Sequence, residues 1–178
     1  LGPAGKDSMS MAAHRSLCAA KNLYFRTRIH QAAIDCENDG LQFRDFDRVY
    51  ETSASFDDVY SSIVNQVFDI ARNEDITYAV PGHPLVAEET VRQIISKALT
   101  ENIPFEVISS SSFIESTLGV LRLSINSGIL FLDALGLAPQ NINPDLNTLF
   151  YQVFDEETAS NLKLKLMDVY PNAFHLTD

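Results

Sequence analysis

Apolar residues recur along the chain with two alternating periods. Met9, Ala12, Ala13, Ser16, Leu17 and Ala20 lie at helical spacing and predict a helix over Ser8 to Ala20. Leu23-Tyr-Phe25 is a short buried-strand pattern, and Ala32 to Asn38 reads as a helix closed by Asp39-Gly40. Leu41, Phe43 and Phe46, with polar residues between them, predict a second strand. Ser55 then offers a capping hydroxyl ahead of Phe56-Asp57-Asp58, whose carboxylates suit the positive end of a helix dipole. Val59, Ile63, Val67 and Ile70 give that helix one apolar stripe, to about Arg72. Strand and helix continue to alternate: strand Ile76 to Val80, helix Val86 to Asn102, strand Phe105 to Ile108, helix Phe113 to Leu121.

Such alternation is the sequence sign of a mainly parallel sheet covered by helices on both faces, an α/β lobe. From Gly128 the texture changes. Ile129 to Leu132 and Leu149 to Phe154 read as strands, Gly136 to Asn147 as a loop with two prolines, and Asp155 to Val169 as a helix. The expectation is therefore two lobes, an N-terminal α/β lobe over 1–115 and a mixed α+β lobe over 116–178. Leu1-Gly-Pro-Ala-Gly5 reads as the turn after a strand, and Asn172 to Asp178 as the start of a new extended segment. Truncation at both ends is expected.

Composition narrows the class. With 178 residues, 46% of them hydrophobic, the chain can bury a sizeable core. A net charge of −11 argues against general affinity for nucleic acid or anionic membrane, because phosphate neutralisation needs Lys and Arg. No apolar run approaches the ~20 residues of a bilayer span. Only Cys18 and Cys36 occur, outside any CxxC or Cys/His cluster, so no structural metal is expected and a reduced, cytoplasmic setting fits.

Ligands of open parallel sheets bind at the carboxyl ends of the strands. Three loops stand there: Gly2-Pro-Ala-Gly5, Pro81-Gly-His-Pro84 and Ser109-Ser-Ser-Ser112. Gly, Pro and Ser are ordinary loop residues. Three such loops at equivalent places point further, to backbone amides and short hydroxyls approaching a ligand. The two prolines fix the backbone on either side of Gly82, which can take positive φ. GxxxxGK[ST], GxGxxG and GxSxG are all absent, which removes the usual signatures of ATP hydrolysis, NAD chemistry and a nucleophile elbow. His14 reads as an isolated helix histidine. Arg26, Arg28 and His30 form a cationic segment able to meet an anion, or a solvated surface loop. Asp57, Asp58, Glu88, Glu89, Asp155, Glu156 and Glu157 fall in first helical turns, where the dipole already explains them. His83 is read as a spacer whose backbone binds, although an ordinary pKa of ~6.5 would let it carry a proton.

The three loops in this order resemble the tetrapyrrole (corrin/porphyrin) methylase family, S-adenosylmethionine-dependent methyltransferases with two α/β lobes. Tyr-Ala-Val-Pro-Gly-His-Pro-Leu-Val-Ala-Glu88, Phe25-Arg-Thr-Arg-Ile-His30, Ser112-Phe113 and Leu162-Lys-Leu-Lys-Leu-Met-Asp-Val-Tyr-Pro171 are similar to segments of its YabN-type subgroup, which is fused to a MazG-type nucleotide pyrophosphohydrolase. The resemblance implies a two-lobed fold with the cofactor in the cleft between lobes. It implies cofactor contacts at Pro3, Pro81, Gly82, His83, Val86, Ser112, Phe113 and Val153. It places the acceptor, a small molecule such as a tetrapyrrole, near Arg26, Arg28 and His30, and it implies a homodimer. The family's first loop usually reads Gly-Pro-Gly-Asp, whereas Ala4 and Gly5 take its last two places here. Its usual Pro-Gly before the serine pair is Ser109-Ser110. The rival expectation is a non-catalytic, ligand-sensing regulatory domain beside a MazG-type hydrolase.

Overall fold

A computed structural model of the chain describes residues 1–171. The extended segment expected over Asn172 to Asp178, and His175 within it, lie outside the described residues. The chain divides into two compact units, Leu1–Leu121 and a second beginning at Arg122. The boundary expected at 115/116 falls inside the last helix of the first unit.

The first unit is built on a three-stranded parallel sheet of β1 (Leu23–Phe25), β2 (Arg44–Asp45) and β3 (Thr77–Ala79), in the order β2-β1-β3. Side chains alternate across the sheet, as the pleat requires. Leu23 and Phe25 enter one core with α1 (Met11–Ala19) and α2 (Gln31–Asn38), beside Leu17, Ala32, Ala33 and Cys36. Tyr24 faces the other way, into a core with α4 (Phe56–Ala71) and α5 (Glu89–Glu101), where Phe46, Val59, Ile63, Val67, Phe68 and Ala98 are buried. α3 (Asp47–Thr52), a helix the sequence pattern did not suggest, adds Val49 and Tyr50 to that second core.

Helix ends follow local chemistry. Ser10 caps α1 by accepting from the Ala13 amide, and Ser55 caps α4 by accepting from Asp58. Asn102 ends α5 in the left-handed region at φ 54°. Two expectations fail. Phe105 to Ile108 joins no sheet among the described residues, and with β3 it lines a cavity of 460 Å³. Val86 to Glu88 is a turn ahead of α5 because Ala87 takes φ 57°, which a helix cannot contain.

The second unit pairs β4 (Ile129–Asp133) in parallel with β5 (Asn147–Tyr151), Phe131 opposite Leu149. Leu137, Ile142 and Leu166 form its small core, with Leu132, Phe150 and Leu162 packed against them. Leu162 and Leu166 come from α7 (Glu156–Met167), capped by Asp155, which accepts from the Thr158 amide. Among the described residues no helix is long and apolar enough to cross a membrane.

Candidate functional site

Parallel pairing of β1 and β3 opens their carboxyl ends at the same edge of the sheet, and α6 (Phe113–Leu121) begins after the third loop. There the first two loops are zipped together. The Gly2 amide donates to the Gly82 carbonyl at 3.2 Å, and the Gly82 amide donates back at 2.8 Å. Both glycines are left-handed, at φ 78° and 69°. A Cβ at Gly2 would stand 2.6 Å from the Ser8 carbonyl oxygen, so no other residue fits there. Beside Gly82, by contrast, no atom of the described residues other than its chain neighbours lies within 4 Å of where a Cβ would be. The third loop is tied to the start of α1. Ser10 donates from its amide to the Ser110 hydroxyl at 3.0 Å and from its own hydroxyl to the Ser109 carbonyl at 2.6 Å. Hydrogen bonds thus join the first loop to the second, and the third loop to the start of α1.

The predicted contact residues of the first unit belong to these loops or follow them in the chain. Pro3, Pro81 and Val86 are half-buried. His83 serves its own turn: Nδ1 accepts from the Leu85 amide at 3.0 Å, and its carbonyl accepts from Val86. Ser112 opens α6 with a reciprocal cap. Its hydroxyl accepts from the Ile114 amide, while its amide and hydroxyl donate to the Glu115 carboxylate. Burial pushes that carboxyl up, but the Ser112 bonds outweigh burial, and the nearby His83 adds to them, so Glu115 titrates below the usual range. Phe113 is the first residue of α6 and is half-buried. Val153 follows β5 in the second unit and is partly exposed.

At Gly5, where the resembled family carries a carboxylate, another one stands close by. A Cβ there would meet Asp35 Oδ2 at 2.8 Å, and that oxygen accepts from the Lys6 amide. The first loop is therefore held by a carboxylate reaching over from α2.

Of the three cationic candidates, two are occupied structurally. Arg28 donates to Asp45 at 3.0 Å, pairs with Glu37, and lies over the Phe43 ring. His30 caps α2, its Nδ1 accepting from the Ala32 amide, and burial holds it below the ordinary histidine range. Arg26 differs. It is the first residue past β1, and its Nε lies 3.5 Å from Glu88 Oε1 without a hydrogen bond.

Glu88 is the residue that sequence reasoning passed over. It sits at the start of α5 but makes no capping bond, and its side chain is only 6% exposed. Burial pushes its carboxyl up to about 7, against the pull of Arg26. The Tyr50 hydroxyl, also buried, lies beside the Arg26 side chain, whereas the Tyr78 hydroxyl pairs with Thr90. Nothing local distinguishes Glu88 from Glu89. Only the sheet, by ending β1 beside the start of α5, sets Glu88 against Arg26. Among the described residues no group of three His, Cys, Asp or Glu side chains could hold a metal ion.

The geometry matches a solved structure, uroporphyrin-III C-methyltransferase from Thermus thermophilus, over 96% of this chain and 71% of that one, with a TM-score of 0.66 and 17% identity. The fold is that of a tetrapyrrole methylase. In sequence the chain is 35% identical over 176 residues to the uncharacterized protein YabN of Bacillus subtilis (strain 168), which covers 99% of this chain. The chain spans about a third of YabN's length (36%). No protein-family model matches it.

Proposed function

We propose that this chain binds S-adenosylmethionine and forms part of a methyltransferase of the tetrapyrrole methylase type. The observation that carries the reading is the joining of the first two loops, Gly2 to Gly82, with the third loop tied to the start of α1 through Ser10 to Ser109-Ser110. The fit of the residues is supported at Gly82, where a left-handed backbone beside open space leaves the main chain approachable by a ligand. Pro3, Pro81 to His83, Val86, Ser112 and Phe113 would hold the cofactor; Val153, in the second unit, is a contact implied by the resemblance alone. When bound, S-adenosylmethionine supplies an activated methyl group on a sulfonium. The chain's task is then chiefly to fix two reactants in line, which needs geometry more than acid–base side chains. Pre-set turns at Gly2-Gly82 and His83-Val86 suit that task, because they hold backbone groups in place before a ligand arrives. Arg26 is the candidate contact to an anionic acceptor, since Arg28 and His30 already serve the fold.

The second reading, a ligand-sensing domain of a MazG-type fusion, is favoured by one observation: most of YabN's length lies outside the match. Calorimetry with S-adenosylmethionine and S-adenosylhomocysteine tests the first, on this chain and on a longer chain of YabN's extent. Micromolar binding, roughly −8 kcal/mol, is expected. Binding without methyl transfer to any acceptor would favour the sensing domain. No binding by either chain, with both folded, would reject the cofactor.

A further inference from the structure

The sheet of the first unit has an open edge. In the order β2-β1-β3, β3 pairs with β1 on one side and with no strand of the described residues on the other. Main-chain groups along a strand alternate between its two sides. The Thr77 amide donates to Asn22 and the Ala79 carbonyl accepts from Arg26, both on the β1 side. Those of Tyr78 and Val80 therefore face the open edge, and a row of such groups is a template for another strand.

A cavity of 460 Å³ runs along that edge, lined without a break by Ile76 to Val80 and by Ile103 to Ile108. It also reaches both layers that cover the sheet. Ala13 and Leu17 of α1 line it from one face, and Phe68 of α4 and Ile94 of α5 from the other. A cavity that touches both layers and β3 lies in the plane of the sheet, where a next strand would run. At the carboxyl end of β3 one rung is already made. Leu1, 5% exposed, lines the cavity and donates from its main-chain nitrogen to the Val80 carbonyl at 2.8 Å. That nitrogen is an ammonium, which burial pulls down to a pKa of about 6. A peptide amide in its place would make the same bond without a buried charge.

The surroundings specify the occupant. A segment leading into Leu1 along this edge runs in the same direction as β3. Its side chains would alternate between α1 and the α4–α5 layer, both apolar, which requires a nearly continuous apolar run. We propose that this cavity is a strand-acceptor site: it takes one extended, apolar segment of polypeptide, parallel to β3 and joined to the Leu1 nitrogen, as a fourth strand of the sheet. No cofactor enters this site or its test, so it stands or falls apart from the methyltransferase reading.

The experiment compares amide hydrogen exchange, by NMR, in this chain and in three forms extended before Leu1, by Val-Ile-Val-Val-Ile, Val-Ile-Val-Pro-Ile or Gly-Ser-Gly-Ser-Gly. The first should slow exchange at the Tyr78 and Val80 amides by about tenfold or more and raise the thermal unfolding midpoint. The proline, two residues before Leu1, removes the donor that would meet the Tyr78 carbonyl but keeps apolar bulk, and should lose most of that protection. The Gly-Ser form moves the ammonium away from Val80 without supplying apolar side chains, and should leave both amides as in the unextended chain. The Phe25 amide, inside the sheet, reports that each form is folded. Equal protection by the proline form would show apolar burial without strand pairing and overturn the site. A first extension that leaves Tyr78 and Val80 unprotected, or that lowers the unfolding midpoint, would do the same. Free acetyl-Val-Ile-Val-Val-Ile-amide, added at equimolar concentration and protecting the unextended chain as fully as the fused form, would overturn the continuity with Leu1.

Discussion

Glu88→Gln should make the first unit more stable at alkaline pH, although it breaks an ion pair. The folded protein binds the Glu88 proton more tightly than the unfolded chain, with a midpoint of about 7 against 4.5. Between those values the native state carries more protons than the unfolded state, so stability falls as pH rises through the window. At about 1.4 kcal/mol per tenfold change in proton affinity, the full loss approaches about 3 kcal/mol above pH ~8. Glutamine mimics the neutral acid in shape and charge and does not titrate, so the variant lacks this decline. Arg26 stays in the same state beside the substituted glutamine as beside protonated Glu88, which makes the acid plateau the right reference. Urea unfolding followed by tyrosine fluorescence across pH ~5 to ~8 measures it, and other ionisable groups cancel in the difference between the two proteins. The gap should open with pH, in favour of the variant. Parallel curves, or a variant less stable at the alkaline end, would show that the Arg26 attraction outweighs burial.

The loop geometry gives further expectations. Gly2→Ala forces a Cβ to 2.6 Å from the Ser8 carbonyl oxygen and should cost more than Gly82→Ala, where only the left-handed backbone, about 1–2 kcal/mol, is penalised; thermal unfolding of the two variants ranks them, and an equal loss would refute the steric argument. His83→Ala should leave S-adenosylmethionine affinity within about tenfold, ~1.4 kcal/mol, since the ring serves its own turn; a far larger loss in calorimetry, with the fold intact, would show that the imidazole itself binds. Ser112→Ala removes the cap of α6 and should destabilise by about 1 kcal/mol, read in urea unfolding, while raising the Glu115 midpoint; an unmoved Glu115 would contradict the capping bonds.

Periodicity alone fixed most helices of the first unit, because a stripe such as Val59, Ile63 and Val67 has one way to be buried. Capping residues Ser55 and Asp155 marked helix starts to within a residue. The prolines and glycine of Pro81 to Pro84 showed that this loop is conformationally set, since those residues restrict or free φ by their own covalent structure. The partners of such residues were not legible. Phe105 to Ile108 has the composition of a strand, yet pairing depends on how the segment packs, and it meets β3 only as part of the same cavity wall. His30 read as a candidate for anion binding until the fold made it the cap of α2. Glu88 and Glu89 are indistinguishable in sequence, but one is 6% exposed against Arg26 and the other bonds Arg92 at the surface. Local structure is set by interactions within a few residues, and these are written in the sequence. The ionisation of Glu88 is set by burial and by a cation from a distant part of the chain, and only the parallel pairing of β1 with β3 brings that cation near.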